Sequence, residues 1–342
     1  MRNINQLFST LVLLVFSSFS IAEFTEPLSN KIIITFGTGF DDTTVVSATG
    51  GNYHTTLGEQ RKEVIRRAAL IWSEKLDLIS DIYITADFSP FYCVSHSATL
   101  GSAGPTQVYN LSNIWYPSAL ARQLSAPGSI TVHEDIRINL NSNLDLGCFS
   151  GSPNGWYYGL DNKPDTHSEN LLSVVVHEFA HGLGFLSFTD ANTGAWFNSK
   201  PDAYSQYLYD NNTNKAWTAM TNAERYASGL NDNLAWNGPN TNTYAAGVLT
   251  GGFTNSRAEI FSPARYQQGS SLGHFNTDAT PNQLMEPYSN VDAVYIDIES
   301  KVMKDIGWAL NTDTTQPTLS VFDRTLNINK NTTVQLTPLI AS

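Results

Sequence analysis

Cysteine is nearly absent: the 342-residue chain holds two, Cys93 and Cys148. Neither lies in a CxxC spacing, which argues against a thiolate zinc site. Two cysteines in so long a chain also exclude a disulfide-framed miniprotein. Basic residues are scarce as well, with 19 Lys and Arg against 31 Asp and Glu and a net charge of -12. No basic stripe exists to displace counterions from phosphates, so a nucleic-acid binder is disfavoured. Past the N-terminus there is no apolar run of the ~20 residues that a membrane-spanning helix needs. Internal repeats are missing too. At 41% hydrophobic residues the chain is nonetheless too apolar to be disordered.

What is present begins with an export signal. Arg2 starts residues 1–22, Leu11 to Phe16 form their apolar centre, and Ser20-Ile21-Ala22 offers small residues for cleavage near Ala22. The expectation is a secreted protein, extracellular or periplasmic. In such an oxidising compartment an isolated pair of cysteines bonds, so Cys93–Cys148 is expected as a disulfide contributing roughly 3–4 kcal/mol.

Residues 31–36 read as a buried strand. Residues 58–76 have helical periodicity, with Val64, Ile65, Ala68, Ala69 and Trp72 on one face. Residues 81–88 alternate as a strand, and 129–140 carry one or two more. Residues 190–254 are rich in Asn, Thr, Gly and Tyr and read as loop, with short helices at 202–209 and 222–229. The many Asp and Asn in 190–243 raise calcium as an option, but no EF-hand or RTX pattern supports it. Ile298, Val302 and Ile306 mark a last helix over 295–307. From 311 the composition shifts to Thr, Asn and Pro, and 319–336 alternate like the start of a β-sandwich module.

The chemistry concentrates in 166–184. Thr166 and Glu169 form a T-x-x-E capping box, so a helix is expected to start there, with Gly182 and Gly184 at its end. Inside lies His177-Glu178-Phe179-Ala180-His181. Histidines four apart share a helix face and can reach one ion, and the glutamate beside them can act as general base. Two surface histidines are the plainer alternative, but the surrounding helix is apolar nearly all round.

A catalytic zinc has three protein ligands and an open position. In HExxHxxGxxH the third ligand follows the glycine by three residues; here Gly184 matches, and Ser187 stands at the histidine's place. Downstream only His274 remains, followed by Leu284-Met285-Glu286-Pro287. A closing Asp305-Ile306-Gly307 completes the set. With these motifs the chain resembles the metzincin metallopeptidases, in particular the leishmanolysin-like branch, where a long insertion separates the glycine from the third histidine. The resemblance spans roughly 31–310, and its specific motifs occupy 166–187 and 269–308.

The resemblance implies a single catalytic Zn²⁺ held by His177, His181 and His274, above a Met-turn at Met285, with Glu178 as general base. Tyr288 is offset from the position of a tyrosine that some metzincins use. It implies an endopeptidase whose protein or peptide substrate lies along a sheet edge, for which a strand in 129–140 is the candidate. The implied fold is α+β: a twisted mixed sheet with a backing helix and an active-site helix (23–187), a smaller, mostly irregular and helical part (188–310), and a tail (311–342). Two competing readings stay open. One is an inactive zinc-stabilised binding or adhesion module. The other is a hydrolase of another clan with Glu224 or Glu259 as third ligand. The remaining histidines, His54, His96, His133 and His167, read as surface or capping contacts.

Overall fold

The structure is a computed structural model that describes residues 25–27, 31–289 and 294–311. The expected signal segment and the alternating tail over 319–336 lie outside the described residues. The described elements all lie before the Leu310–Asn311 junction, where the chain divides into two units.

In chain order the first half contains β1 (Thr25–Pro27), β2 (Ile32–Phe36), α1 (Leu57–Lys75) and β3 (Ile82–Ser89). Two small hairpins and an edge strand follow: β4 (Cys93–Val94) with β5 (Ser97–Ala98), β6 (Gly101–Pro105), then β7 (Val108–Leu111) with β8 (Ile114–Pro117). Next come α2 (Ser118–Leu124), β9 (Ile136–Asn141), β10 (Trp156–Tyr157), β11 (Glu169–Asn170) and α3 (Leu171–Leu183). The second half holds β12 (Leu208–Asp210), β13 (Lys215–Ala216), α4 (Asn222–Ser228), β14 (Leu234–Trp236), α5 (Pro239–Val248) and α6 (Asp297–Ile306).

The chain is thus α+β, built on a five-stranded mixed sheet of order β1-β2-β3-β9-β6 with several smaller sheets. β2, β3 and β9 run parallel, and β1 and β6 are antiparallel at the two edges. Alternation drives the sheet: Ile82, Ile84, Ala86 and Phe88 of β3 are buried while the residues between them are half-exposed. The buried face is covered by α1 and α3, locked together by a hydrogen bond from Trp72 Nε1 to the Val176 carbonyl at 2.9 Å. α3 approaches β9 closely because Gly182 lacks a side chain; a Cβ there would lie 2.3 Å from Ile136 Cγ2.

Three expectations are corrected. The helix α3 begins at Leu171, not at Thr166, because Glu169 and Asn170 pair as a strand with Trp156 and Tyr157. The cap is Asn170, whose side chain accepts from the Ser173 amide. Over 129–140 one strand forms, β9, in keeping with the one or two expected. Upstream, the Arg122 guanidinium gathers the carbonyls of Ile130 and Val132 while pairing with the buried Asp135 at 3.0 Å. The expected helix over 202–209 is a single 3-10 turn, Ser205–Tyr207, leading into β12. Asp202 takes the amides of Tyr204 and Ser205, and Leu208–Asp210 is recruited into the β13-β12-β14 sheet. Finally, 190–254 is more regular than its composition suggests. The polar sequence of α5 is a poor helix former, yet it is capped from outside. Asp305 of α6 accepts from the amides of Asn240 (2.9 Å) and Thr241 (3.1 Å) and from Trp236 Nε1 (3.0 Å).

Cys93 and Cys148 form the disulfide, with Cα atoms 5.8 Å apart. It ties the β4-β5 hairpin to the segment whose Ser150 amide bonds the Ser95 carbonyl at 2.9 Å. The chain-entropy model for a 55-residue separation gives about 4 kcal/mol. Replacing both cysteines by alanine is expected to lower Tm by several degrees in a thermal scan. An unchanged Tm would show that local hydrogen bonds alone hold the hairpin.

Candidate metal centre

α3 presents His177 and His181 one turn apart, on a helix buried along most of its length. At its C-terminus Gly184 adopts φ +123°, a conformation that other residues rarely enter. A Cβ at Gly184 would also meet Ile306 and Pro117 at 3.0 and 3.1 Å. The turn brings the Phe185 carbonyl back to His181, whose Nδ1 donates to it at 2.8 Å. His274 arrives from the long segment after β14. Leu272, two residues earlier, has φ +73°, uncommon for a branched side chain. His274 Nδ1 donates to the Ser270 carbonyl at 2.7 Å. His177 Nδ1 donates to the Leu284 carbonyl at 2.8 Å.

Each imidazole therefore spends its proton on a backbone carbonyl, and this fixes the tautomer. The three Nε2 lone pairs face one another at 3.1, 3.1 and 3.2 Å. No proton remains to bridge them, so the arrangement is repulsive unless a cation lies among them. Tetrahedral Zn–N bonds of ~2.0–2.1 Å place ligand nitrogens about 3.3–3.4 Å apart. The donor set fits such an ion, and His177, His181 and His274 can hold one. Burial drives His177 down to about 4 and His181 down to about 3, and it also lowers His274 well below the usual range. All three are neutral near pH 7, as ligation requires.

Glu178 is 6% exposed and lines the same cleft, whose volume is about 810 Å³. Its Oε2 has no hydrogen-bond partner among the described residues, and burial pushes its pKa up to about 8. A dication at the triad would favour the carboxylate instead. The side chain rests against the edge strand: a Cβ on Gly101 would lie 2.9 Å from Glu178 Oε1.

The other expected residues fall as follows. Met285 is fully buried, and its carbonyl accepts from the amide of Phe275, next to His274, at 2.7 Å. Ser187 is no ligand; its Oγ bonds Ser205 Oγ at 2.7 Å and accepts from the Thr189 amide at 3.1 Å. Glu224 closes a capping box with Thr221 on α4, and neither it nor Glu259 joins the cluster among the described residues. His96 is exposed, as expected of a surface contact, and it also lines the cleft. The expected substrate edge is also displaced. β9 lies inside the sheet, between β3 and β6, and it is β6 that borders the cleft through Gly101, Ser102 and Ala103. Its sequence, GSAGP, has no alternation to announce a strand.

Three carbonyls that orient the imidazoles, those of Phe185, Ser270 and Leu284, were invisible to motif reading, since any residue supplies a carbonyl. A scan against protein-family models gives no match, and a search of curated proteins finds none similar to the chain.

Proposed function

We propose that the chain is an exported zinc-dependent endopeptidase related to the leishmanolysin-like metzincins. The observation that carries this reading is the convergence of three Nε2 lone pairs, each on a ring anchored through Nδ1, beside a buried Glu178 whose Oε2 has no partner among the described residues. The order of residues around it supports the family: His177, Glu178, His181, Gly184, then His274, Met285 and Asp305. The disulfide and the character of residues 1–22 support export.

Zinc, when bound, supplies a Lewis acid that makes water acidic near neutral pH and polarises a carbonyl. The chain's own residues do the rest. The substrate lies extended along β6, which has no strand on its outer side among the described residues. Glu178 takes a proton from the attacking water. The water oxygen adds to the scissile carbonyl carbon, the C–N bond breaks, and Glu178 delivers the proton to the leaving amine. Burial favours this relay, since a desolvated carboxylate is a stronger base than one in water.

Gly101 has a defined part in this arrangement. A methyl group there would press on Glu178 Oε1 and on the Asn139 carbonyl, at 2.9 and 3.2 Å. Gly101→Ala is expected to lower kcat by roughly 10- to 10²-fold through displacement of the base. Steady-state kinetics on a quenched peptide check this, and an unchanged kcat would mean that the carboxylate has room to spare.

The test of the proposal is hydrolysis of casein by the purified mature chain. Activity that disappears with 1,10-phenanthroline and returns with added zinc supports it. A folded, zinc-loaded chain that leaves casein and peptide libraries intact would favour a binding module instead.

A further inference from the structure

The backbone around Met285 has three polar groups with defined partners. The Leu284 carbonyl orients His177, and that of Met285 accepts from Phe275, beside His274. On the other side, the Met285 amide donates to the carboxylate of Glu299, on α6. The Met285 amide lies 3.3 Å from Glu299 Oε1. Glu299 is 1% exposed, so this carboxyl has been taken out of water to meet a backbone turn. Hydrophobic packing of α6 does not require it, because Ile298, Val302 and Ile306 already bury the helix.

We propose that Glu299 is a positioning residue of the metal centre, holding the Leu284–Met285 turn so that the Leu284 carbonyl fixes the ring of His177. The inference rests on the zinc reading above. A peptide group whose amide is anchored has a fixed carbonyl direction, because the group is planar. Partners one shell removed from a metal govern ligand orientation and with it affinity. Here the chain runs from α6 through the turn to the imidazole, and it joins the last helix of the fold to a ligand on α3.

The experiment compares zinc dissociation constants of the full mature chain by competition with a chromophoric chelator. Glu299→Met keeps the volume and removes the acceptor; Glu299→Gln keeps an acceptor oxygen. Val302→Ala on α6, where Val302 is fully buried, serves as a purely structural lesion. Glu299→Met is expected to weaken zinc on the order of 10- to 100-fold. Glu299→Gln should bind nearly as wild type, and Val302→Ala should lower Tm without moving the zinc constant. A Glu299→Met protein with the wild-type constant overturns the proposal. So does a Val302→Ala protein that loses affinity equally. If Glu299→Met does not fold, the contrast between Glu299→Gln and Val302→Ala decides: a loss of zinc affinity in the glutamine variant overturns rescue by an acceptor. A wild-type chain that binds no zinc would sink the metal-centre reading itself, an outcome distinct from the others.

Discussion

Glu178→Gln is expected to hydrolyse an unfolded protein 10²- to 10⁴-fold more slowly than wild type, with its zinc content unchanged. The two side chains have nearly the same shape, so the comparison isolates the capacity to carry a proton. Little else should change. Glu178 Oε2 has no partner among the described residues, so no structural hydrogen bond is lost at that oxygen. Its burial raises the carboxyl pKa to about 8, so a neutral amide relieves a desolvation cost. The variant should therefore melt no lower than wild type once zinc is stripped from both. Paired measurements of kcat, zinc content and Tm check the three expectations together. A variant that keeps activity within tenfold would remove Glu178 from the proton path.

The second large effect is on the metal. His274→Ala is expected to weaken zinc by roughly 10²- to 10⁴-fold, since one of three ligands carries about a third of a binding energy on the order of 10–16 kcal/mol. Ser187 stands where the shorter motif would place a histidine, but its hydroxyl is engaged with Ser205 and Thr189. Glu224 is engaged with Thr221 and Lys215. Neither is free to replace the lost imidazole. Metal analysis after dialysis against a weak chelator provides the readout. Zinc retained at the wild-type level would take His274 out of the ligand set.

How much of this was legible beforehand depends on the range of the interactions. The HExxH pair lies within one helical turn, so its shared face follows from spacing alone. His274 stood out only because no other histidine lies downstream. The β2 and β3 strands and α1 were legible because one face of each is apolar with the right period. What escaped was set by distant partners. The start of α3 looked like a capping box at Thr166, yet the pairing of Glu169 and Asn170 with Trp156 and Tyr157 decides it. The helix α5 is polar and forms because Asp305, some 60 residues later, caps it. The edge strand β6 is glycine-rich and shows itself only through its register with β9. Glu299 reads as one more charge on an amphipathic helix until the turn it holds is seen.

The ligand set also has a kinetic meaning. His181 and His274 are 93 residues apart in sequence, and a single ion joining them is a removable cross-link. Unlike a disulfide, such a link is lost when the chain unfolds, so it stabilises the folded state by mass action, in proportion to the logarithm of the free ion concentration over its dissociation constant. This link spans the segment that carries β12 to β14, α4 and α5. An ion-free chain would open there first, exposing that segment to any peptidase present. Metal supply would then govern how long each molecule survives, with zinc-poor surroundings shortening the lifetime of the whole population.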